Sequence, residues 1–104
     1  MSGAKEAPDR LRLDKWLWAA RFFKTRSLAA DAIDGGKVKL NGHPVKPARE
    51  VKVGDTLYLT IGEAHWTVLV RAINEYRRPA PEARQLYEET GASRLAREQA
   101  AEAR

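Results

Sequence analysis

The sequence lacks cysteine, has only two histidines, and contains no long apolar run. Without cysteine, the protein cannot form disulfides, use a thiolate nucleophile or bind metal through sulfur. The longest apolar run is five residues, positions 16–20, whereas a helix needs about 20 apolar residues to cross a bilayer. At 104 residues, the chain predicts one small domain without a second core.

Other signals are also missing. The first ten residues are polar and include acids, which does not fit a secretory or transit peptide, so we predict a cytoplasmic protein. Residues 1–9 carry no pattern and are predicted to be disordered. His43 and His65 have no patterned carboxylate partner, and there is no phosphate-binding glycine motif, nucleophile elbow or HExxH. We therefore expect no enzyme activity, no metal site and no cofactor.

Positive charge is concentrated in one half of the chain. The whole sequence carries +5, from 19 Lys and Arg against 14 Asp and Glu. Residues 10–52 hold eleven basic and four acidic side chains, a net charge of +7, whereas residues 53–78 balance and each end segment carries −1. Such a basic half predicts a polyanionic partner, above all a nucleic acid.

Helical periodicity runs from position 11 or 13 to about position 22. Five apolar residues there fall within about 120° of a helical wheel and are predicted to face a core. They are Leu13, Trp16, Leu17, Ala20 and Phe23. Thr25 is a candidate N-cap for a second helix over 26–34, which Gly35-Gly36 should end in left-handed conformations. Its predicted buried face is Leu28, Ala29, Ala32 and Ile33.

After the two glycines, the apolar period changes to two residues, as in strands. Lys37 and Lys39 alternate with apolar neighbours, and Asn41-Gly42 is a strong hairpin signal. Further strands are predicted over 56–61 and 66–73. From residue 81 onward, the composition predicts helix, interrupted near residues 91–93.

Together these elements predict an α+β fold, in which two N-terminal helices pack on a small antiparallel sheet and a C-terminal helical extension follows. The predicted divisions are a disordered N-terminus over 1–9, a folded domain over 10–74 and the C-terminal extension over 75–104.

Three stretches of the basic half are candidates for contacting RNA. The first helix combines basic residues with an aromatic ring at i,i+3 spacing, which suits stacked bases flanked by phosphates. The connection to the second helix places cations at a helix N-terminus, which attracts phosphate. The strand after the glycines projects two lysines to one face. The residues concerned are Lys15, Trp18, Arg21, Lys24, Arg26, Lys37 and Lys39.

Each of these interpretations has a structural alternative. Trp18 and Phe22 could be covered by the C-terminal helix instead of facing RNA. Lys37 and Lys39 could simply solvate a strand and protect its edge. Asn41 suits a turn better than the recognition of a base.

Four segments then resemble the S4-type RNA-binding domain found in ribosomal protein S4. They are RLDKWL at 12–17, TRSLA at 25–29, GGKVKLNG at 35–42 and VKVGDTLYL at 51–59. Three more resemble the ribosome-associated heat shock protein 15 family: WLWAARFFKTRSLA at 16–29, EYRRPAPEA at 75–83 and LYEETGAS at 86–93. Longer family members continue with a tail rich in Lys and Arg, whereas this sequence stops at Arg104 after a segment with a net charge of −1.

The resemblance implies an S4-like fold with the αL-type motif over residues 10–74. It implies binding to ribosomal RNA of free large (50S) subunits that still hold a nascent chain on transfer RNA, in the rescue of translation after heat stress. It adds Arg12, Thr25 and Asn41 to the expected RNA-binding residues. We also expect no membrane partner and a monomer when free. Two alternatives are an RNA-binding accessory module of an RNA-modifying assembly and a DNA-binding domain.

Overall fold

The structure, a computed structural model, describes residues 8–103 and has the predicted α+β fold. Two helices and six strands come first, then a C-terminal part with two helices, a 3-10 turn and one more strand. In chain order they are β1 (Arg10–Arg12), α1 (Leu13–Ala19), α2 (Arg26–Asp34), β2 (Val38–Leu40), β3 (His43–Pro44), β4 (Glu50–Lys52), β5 (Thr56–Ile61), β6 (Ala64–Val70), α3 (Ala80–Ala83), the 3-10 turn (Arg84–Leu86), β7 (Tyr87–Glu89) and α4 (Gly91–Glu102). The predicted disorder over 1–9 lies outside the described residues, except at Pro8 and Asp9.

Helix α1 is shorter than predicted at its C-terminal end. Arg21 adopts a left-handed conformation with φ of +69°. Its N–H donates to the Trp18 carbonyl (3.1 Å), and the Phe22 N–H donates to the Leu17 carbonyl (3.0 Å). These two bonds form a Schellman motif, which satisfies the last carbonyls of a helix and turns the chain away. The helix therefore ends at Ala19, and the prediction that it continues to about Phe22 was wrong.

Helix α2 has the predicted bounds. Thr25 Oγ1 accepts a hydrogen bond from the Leu28 N–H (3.0 Å), which confirms Thr25 as the N-cap. At the other end only Gly36 is left-handed, with φ of +79°, while Gly35 stays at −80°. The prediction that Leu28 is buried was wrong, because this side chain is 49% exposed. It lies about 100° around the helix from buried Ala29, at the border of the face that meets α1.

The main sheet is antiparallel, with strand order β3-β2-β5-β6-β7, and β1 pairs separately with β4. Asn41 and Gly42 have φ of +52° and +86°, which confirms the predicted tight hairpin between β2 and β3. Strand β5 has the predicted bounds. Strand β6 begins at Ala64 and ends at Val70, earlier than the predicted 66–73.

The predicted all-helical C-terminal segment was wrong at β7. Tyr87 pairs with Val70 and Glu89 pairs with Val68, so β7 extends the sheet beyond β6. Helix α4 then begins at Gly91, capped by Thr90 Oγ1, which accepts from the Ser93 N–H (3.1 Å). The division of the chain after residue 74 stays a prediction, although β7 shares the main sheet with β2, β3, β5 and β6.

The core lies between the two N-terminal helices and one face of the main sheet. Its largest fully buried side chains come from α1 and from β2, β4, β5 and β6; they are Trp16, Leu13, Leu17, Leu57, Leu59, Val38, Val51, Val68 and Val70. Phe22 is half-buried among Trp16, Trp66 and Tyr87, with ring centres 6.3, 5.7 and 4.6 Å away. These three rings come from α1, β6 and β7, and not from the C-terminal helix.

Candidate nucleic-acid interface

The sequence-predicted cations do not form one surface. Five of them lie where β1, α1 and α2 meet, and we call this the helix corner: Arg12, Lys15, Arg21, Lys24 and Arg26. Consecutive elements with short connections bring these residues together, since α1 leads into α2 through only six residues.

Asp14 orders two of these cations. Its side chain is only 6% exposed, and both oxygens accept from the Arg12 guanidinium, at 3.1 and 2.9 Å. Arg26 Nη2 approaches the same carboxylate at 3.5 Å. Burial alone would raise the pKa of Asp14, but the hydrogen bonds and charge of Arg12, with the charge of Arg26, lower it below its ordinary value. One carboxylate therefore holds two half-exposed guanidinium groups side by side, with a net positive charge.

Arg21 and Lys24 extend the corner along the connection between the helices. Arg21 Nε donates to the Arg78 carbonyl (2.6 Å), which directs an exposed guanidinium without neutralising it. Across residues 8–103, no carboxylate lies within salt-bridge distance of Arg21 or Lys24. Both charges are thus available to phosphates.

Thr25 and Trp18 play mainly structural parts at the corner. Thr25 caps α2, whose first N–H groups and positive dipole end face the same region. Trp18 packs partly against the core and keeps some exposure, and its role in RNA binding stays a prediction. Lys15 is half-buried, with its Nζ 3.6 Å from Glu75.

Two arginines outside the sequence-predicted site, Arg77 and Arg78, also lie at the corner. Arg77 donates to the carbonyls of Trp18 (3.1 Å) and Phe23 (3.5 Å), which ties residues 75–78 to α1. Arg78 is exposed, with its guanidinium 5.7 Å from the Tyr76 ring centre. The adjacent Arg-Arg pair is the feature of the sequence that could have indicated that these residues belong to the site.

A groove beside the start of α1 adds cations that the sequence-based site omitted. It has a volume of about 460 Å³ and includes Arg10, Arg49 and Lys52 in its lining. The Leu13 N–H donates to the Arg49 carbonyl (2.8 Å), so the loop before β4 is fixed against α1. These basic residues belong to the +7 segment, but only the β1–β4 pairing shows that they adjoin the helix corner.

Asn41 has structural bonds at the far end of the same groove. Its Nδ2 donates to Asp55 (3.2 Å), and its Oδ1 accepts from the Thr56 N–H (2.9 Å). Burial would raise the pKa of Asp55, but the Lys52 N–H, Asn41 and the Lys52 side chain lower it. The Asn41 side chain therefore stabilises the hairpin, and a role for Asn41 in RNA binding stays a prediction.

Lys37 and Lys39 lie away from the helix corner. Between them Val38 is fully buried against the helices, so both lysines project from the opposite face of the sheet. The nine residues of α2, about 13 Å long, further separate its N-terminus from β2.

Over 8–103, no three His, Asp or Glu side chains are grouped so that they could hold a metal ion. His43 and His65 lie in β3 and β6. In the same range, no helix is sufficiently long and apolar to span a bilayer.

The fold is that of an S4-type RNA-binding protein, and residues 11–57 match the family model of the S4 domain. Heat shock protein 15 of Escherichia coli K12 is 55% identical over 101 residues, which cover 96% of this chain and 76% of that protein. The homolog from Aeromonas salmonicida is 48% identical over 104 residues, covering 100% of this chain and 79% of the relative. The chain therefore belongs to the heat shock protein 15 family.

Two further comparisons extend this result. A Vibrio cholerae heat shock protein 15, solved at 2.3 Å and described as trimeric, superimposes with a TM-score of 0.88 at 49% identity, covering 91% of this chain and 96% of that one. The RQC P-site tRNA stabilizing factor of Bacillus subtilis is 37% identical over 65 residues, 62% of this chain and 76% of the relative.

Proposed function

We propose that the protein binds ribosomal RNA of the large (50S) ribosomal subunit through the helix corner. The observation that carries this proposal is the exposed cluster of Arg12, Arg26, Arg21 and Lys24, in which Asp14 pairs with the first two and no carboxylate of residues 8–103 pairs with the other two. The corner keeps net positive charge on rigid elements, which is the arrangement that phosphate contacts require. Arg10 and Arg49 extend the same surface along the groove, which is also lined by Glu50 and by Lys52 in its pair with Asp55.

The preferred target is a large subunit that still holds a nascent chain on transfer RNA, and the role is ribosome rescue under heat stress. The names of two groups of relatives support this, since one is a heat shock protein and the other a P-site tRNA stabilizing factor. The protein acts by positioning and shape recognition, because A-form RNA offers phosphates and 2′-hydroxyls more readily than base edges.

The protein is proposed to have no catalytic activity of its own and to act in the cytoplasm. A relative named as a stabilizing factor supports a binding role. We keep the prediction that the free protein is a monomer, which sedimentation equilibrium tests. A concentration-independent trimer, as described for the Vibrio cholerae relative, would contradict it.

Sedimentation through sucrose gradients tests the target. Large subunits carrying peptidyl-transfer RNA are compared with the same subunits after puromycin and a salt wash have removed it. The protein should migrate with the loaded subunits and mostly remain at the top of the gradient with the stripped ones. Equal binding to both would contradict the rescue role while leaving RNA binding intact. A competition assay tests the alternative of a DNA-binding domain. It would be favoured if duplex DNA displaced the protein from the subunits as effectively as structured RNA does.

A further inference from the structure

The main sheet has a second face that the helices do not cover. We call it the outer sheet face; it comprises Lys37, Lys39, Tyr58, Thr60, His65 and Thr67. The side chains on β5 alternate: Leu57 and Leu59 are buried beneath the helices, and Tyr58 between them points outward.

Tyr58 is the aromatic centre of this face. It lies on β5, directly between Lys39 of β2 and Thr67 of β6, and it is 43% exposed. A cavity of about 240 Å³ adjoins the ring. A ring that is exposed on the open face of a sheet can accept a planar partner.

The cavity beside Tyr58 is lined by Lys37, Lys39 and His65 and by no carboxylate. Over the described range 8–103, neither lysine forms a salt bridge. Protection of a sheet edge does not explain Lys39, because it pairs with Pro44 of β3 on one side and Tyr58 on the other. These cations thus surround an exposed aromatic ring inside the sheet.

We propose that the outer sheet face is a second RNA-binding surface, which binds an unpaired nucleotide by stacking its base on Tyr58 and holding the flanking phosphates at Lys37 and Lys39. Open sheets that carry an aromatic ring bind single-stranded RNA in this way, and stacking tolerates any base. Thr60 and His65, whose side chains lie 3.2 Å apart, offer hydrogen-bonding groups at the rim. Tyr58 lies just beyond the matched S4 segment 11–57.

This proposal rests on RNA being the ligand of the protein, but not on the helix corner. Because the two surfaces lie on opposite sides of the sheet, one molecule would contact two separate RNA segments. The helix corner would bind a structured helix, and the outer sheet face a single-stranded stretch near it.

Binding of fluorescein-labelled octauridine to the full chain, followed by anisotropy at low salt, tests the stacking. Tyr58→Thr removes the ring but keeps a strand-forming residue, and should weaken binding about five- to hundredfold, the usual range for one stacked base. Tyr58→Phe should bind within about twofold of the parent, because the ring is retained. Tyr76→Thr is the matched control, since Tyr76 is 62% exposed and lies outside the sheet.

Charge is tested separately with Lys37→Gln and Lys39→Gln. Each change should lower the slope of log affinity against log salt by about 0.7, the value expected for one phosphate on a single strand. Thermal unfolding of every variant is measured in parallel, so that a loss of binding is counted only where the protein remains folded.

Failure of this proposal can be told from failure of the helix corner. In the helix-corner variant, Arg21→Gln, Lys24→Gln and Arg26→Gln, octauridine binding should persist while subunit binding is lost. The second surface is refuted if the parent does not bind octauridine, if Tyr58→Thr binds like the parent, or if Tyr76→Thr loses as much. It is also refuted if the helix-corner variant abolishes octauridine binding.

Discussion

Two buried carboxylates organise arginines in two regions of this protein, with opposite results. Asp14, 6% exposed, is shared by Arg12 and Arg26, whose side chains are 50% and 45% exposed. Glu89, 9% exposed, receives both donors of a single arginine, Arg97, at 2.9 and 2.7 Å. The first region therefore keeps two cationic groups facing solvent. In the second region the arginine, Arg97, is paired with Glu89 and holds α4 to the sheet.

In the second region, Arg97 contacts a carboxylate and an aromatic ring at the same time. The Arg97 guanidinium lies 3.7 Å from the Trp66 ring centre while it binds Glu89. Ser93 Oγ donates to the same carboxylate at 2.6 Å and accepts from the Thr67 N–H at 2.9 Å. The charge of Arg97 is neutralised by Glu89 and its guanidinium is stacked on Trp66, so the count of basic residues locates an RNA surface less well than the partners of those residues do.

The largest effect is expected when charge is removed from the helix corner. In the helix-corner variant, Arg21→Gln, Lys24→Gln and Arg26→Gln, the dissociation constant for large subunits should rise about 100-fold, because three phosphate contacts are lost. Glutamine is preferable to glutamate, since Arg26 lies 3.5 Å from Asp14 and a second carboxylate there would destabilise the fold. Filter binding at fixed salt measures the change.

A matched variant separates the position of charge from its total. Arg71→Gln, Arg84→Gln and Arg94→Gln remove three charges from exposed sites, two of which pair with surface carboxylates. Because such pairs contribute little to stability, the matched variant should unfold near the parent's temperature, and the helix-corner variant should do so because Arg12 still binds both oxygens of Asp14. The matched variant should bind subunits within about threefold of the parent. Equal losses in the two variants would contradict the helix corner as the site.

A smaller effect, on stability and not on RNA binding, is expected from Glu89→Gln. It replaces the carboxylate that accepts charge-assisted bonds from Arg97 and a hydrogen bond from Ser93, so the free energy of unfolding should fall by about 2 kcal/mol. The melting temperature should fall by about 10 °C. Subunit binding measured below the melting transition should not change, and a parallel loss of binding would contradict the separation of the two regions.

The pH dependence of Glu89→Gln has a defined sign. The hydrogen bond from Arg97 lowers the pKa of Glu89 in the fold, although burial acts in the opposite direction. A carboxyl group with a lowered pKa stabilises the fold fully above its ordinary value near 4.3, and this contribution is lost as pH falls through the folded-state pKa. The stability gap between parent and variant should therefore close in acid. A gap that stays constant to about pH 3 would exclude the ion pair as its source.

Elements whose structure depends on residues close by in the sequence could be predicted from the sequence. The Thr25 cap, the bounds of α2 and the Asn41-Gly42 hairpin all follow from interactions within a few residues. Strand β7 could not, because Tyr87 to Glu89 become a strand only by pairing with the free edge of β6. The end of α1 was missed because an arginine occupies the left-handed position where glycine is usual.

The candidate site likewise has a part that could be predicted from the sequence and a part that could not. Arg21, Lys24 and Arg26 could be grouped from sequence because they lie on one short connection between two helices. Lys37 and Lys39 were grouped with them by proximity along the chain, and only the two-sidedness of the sheet separates them. The roles of Asp14 and Glu89 depend on burial, which composition and charge do not reveal.

The smallest effect concerns Arg21, where backbone and side chain make opposite demands. Its left-handed φ of +69° costs a non-glycine residue about 1 kcal/mol, and an arginine there is explained if its guanidinium is needed at the helix corner. Arg21→Gly and Arg21→Ala both remove that guanidinium, so both should weaken subunit binding about fivefold. Only glycine relieves the strain. The free energy of unfolding measured in urea should therefore be about 1 kcal/mol higher for Arg21→Gly than for Arg21→Ala. Equal stability of the two would mean that the Schellman turn stores no strain at Arg21, and parental binding by both would remove this residue from the helix corner.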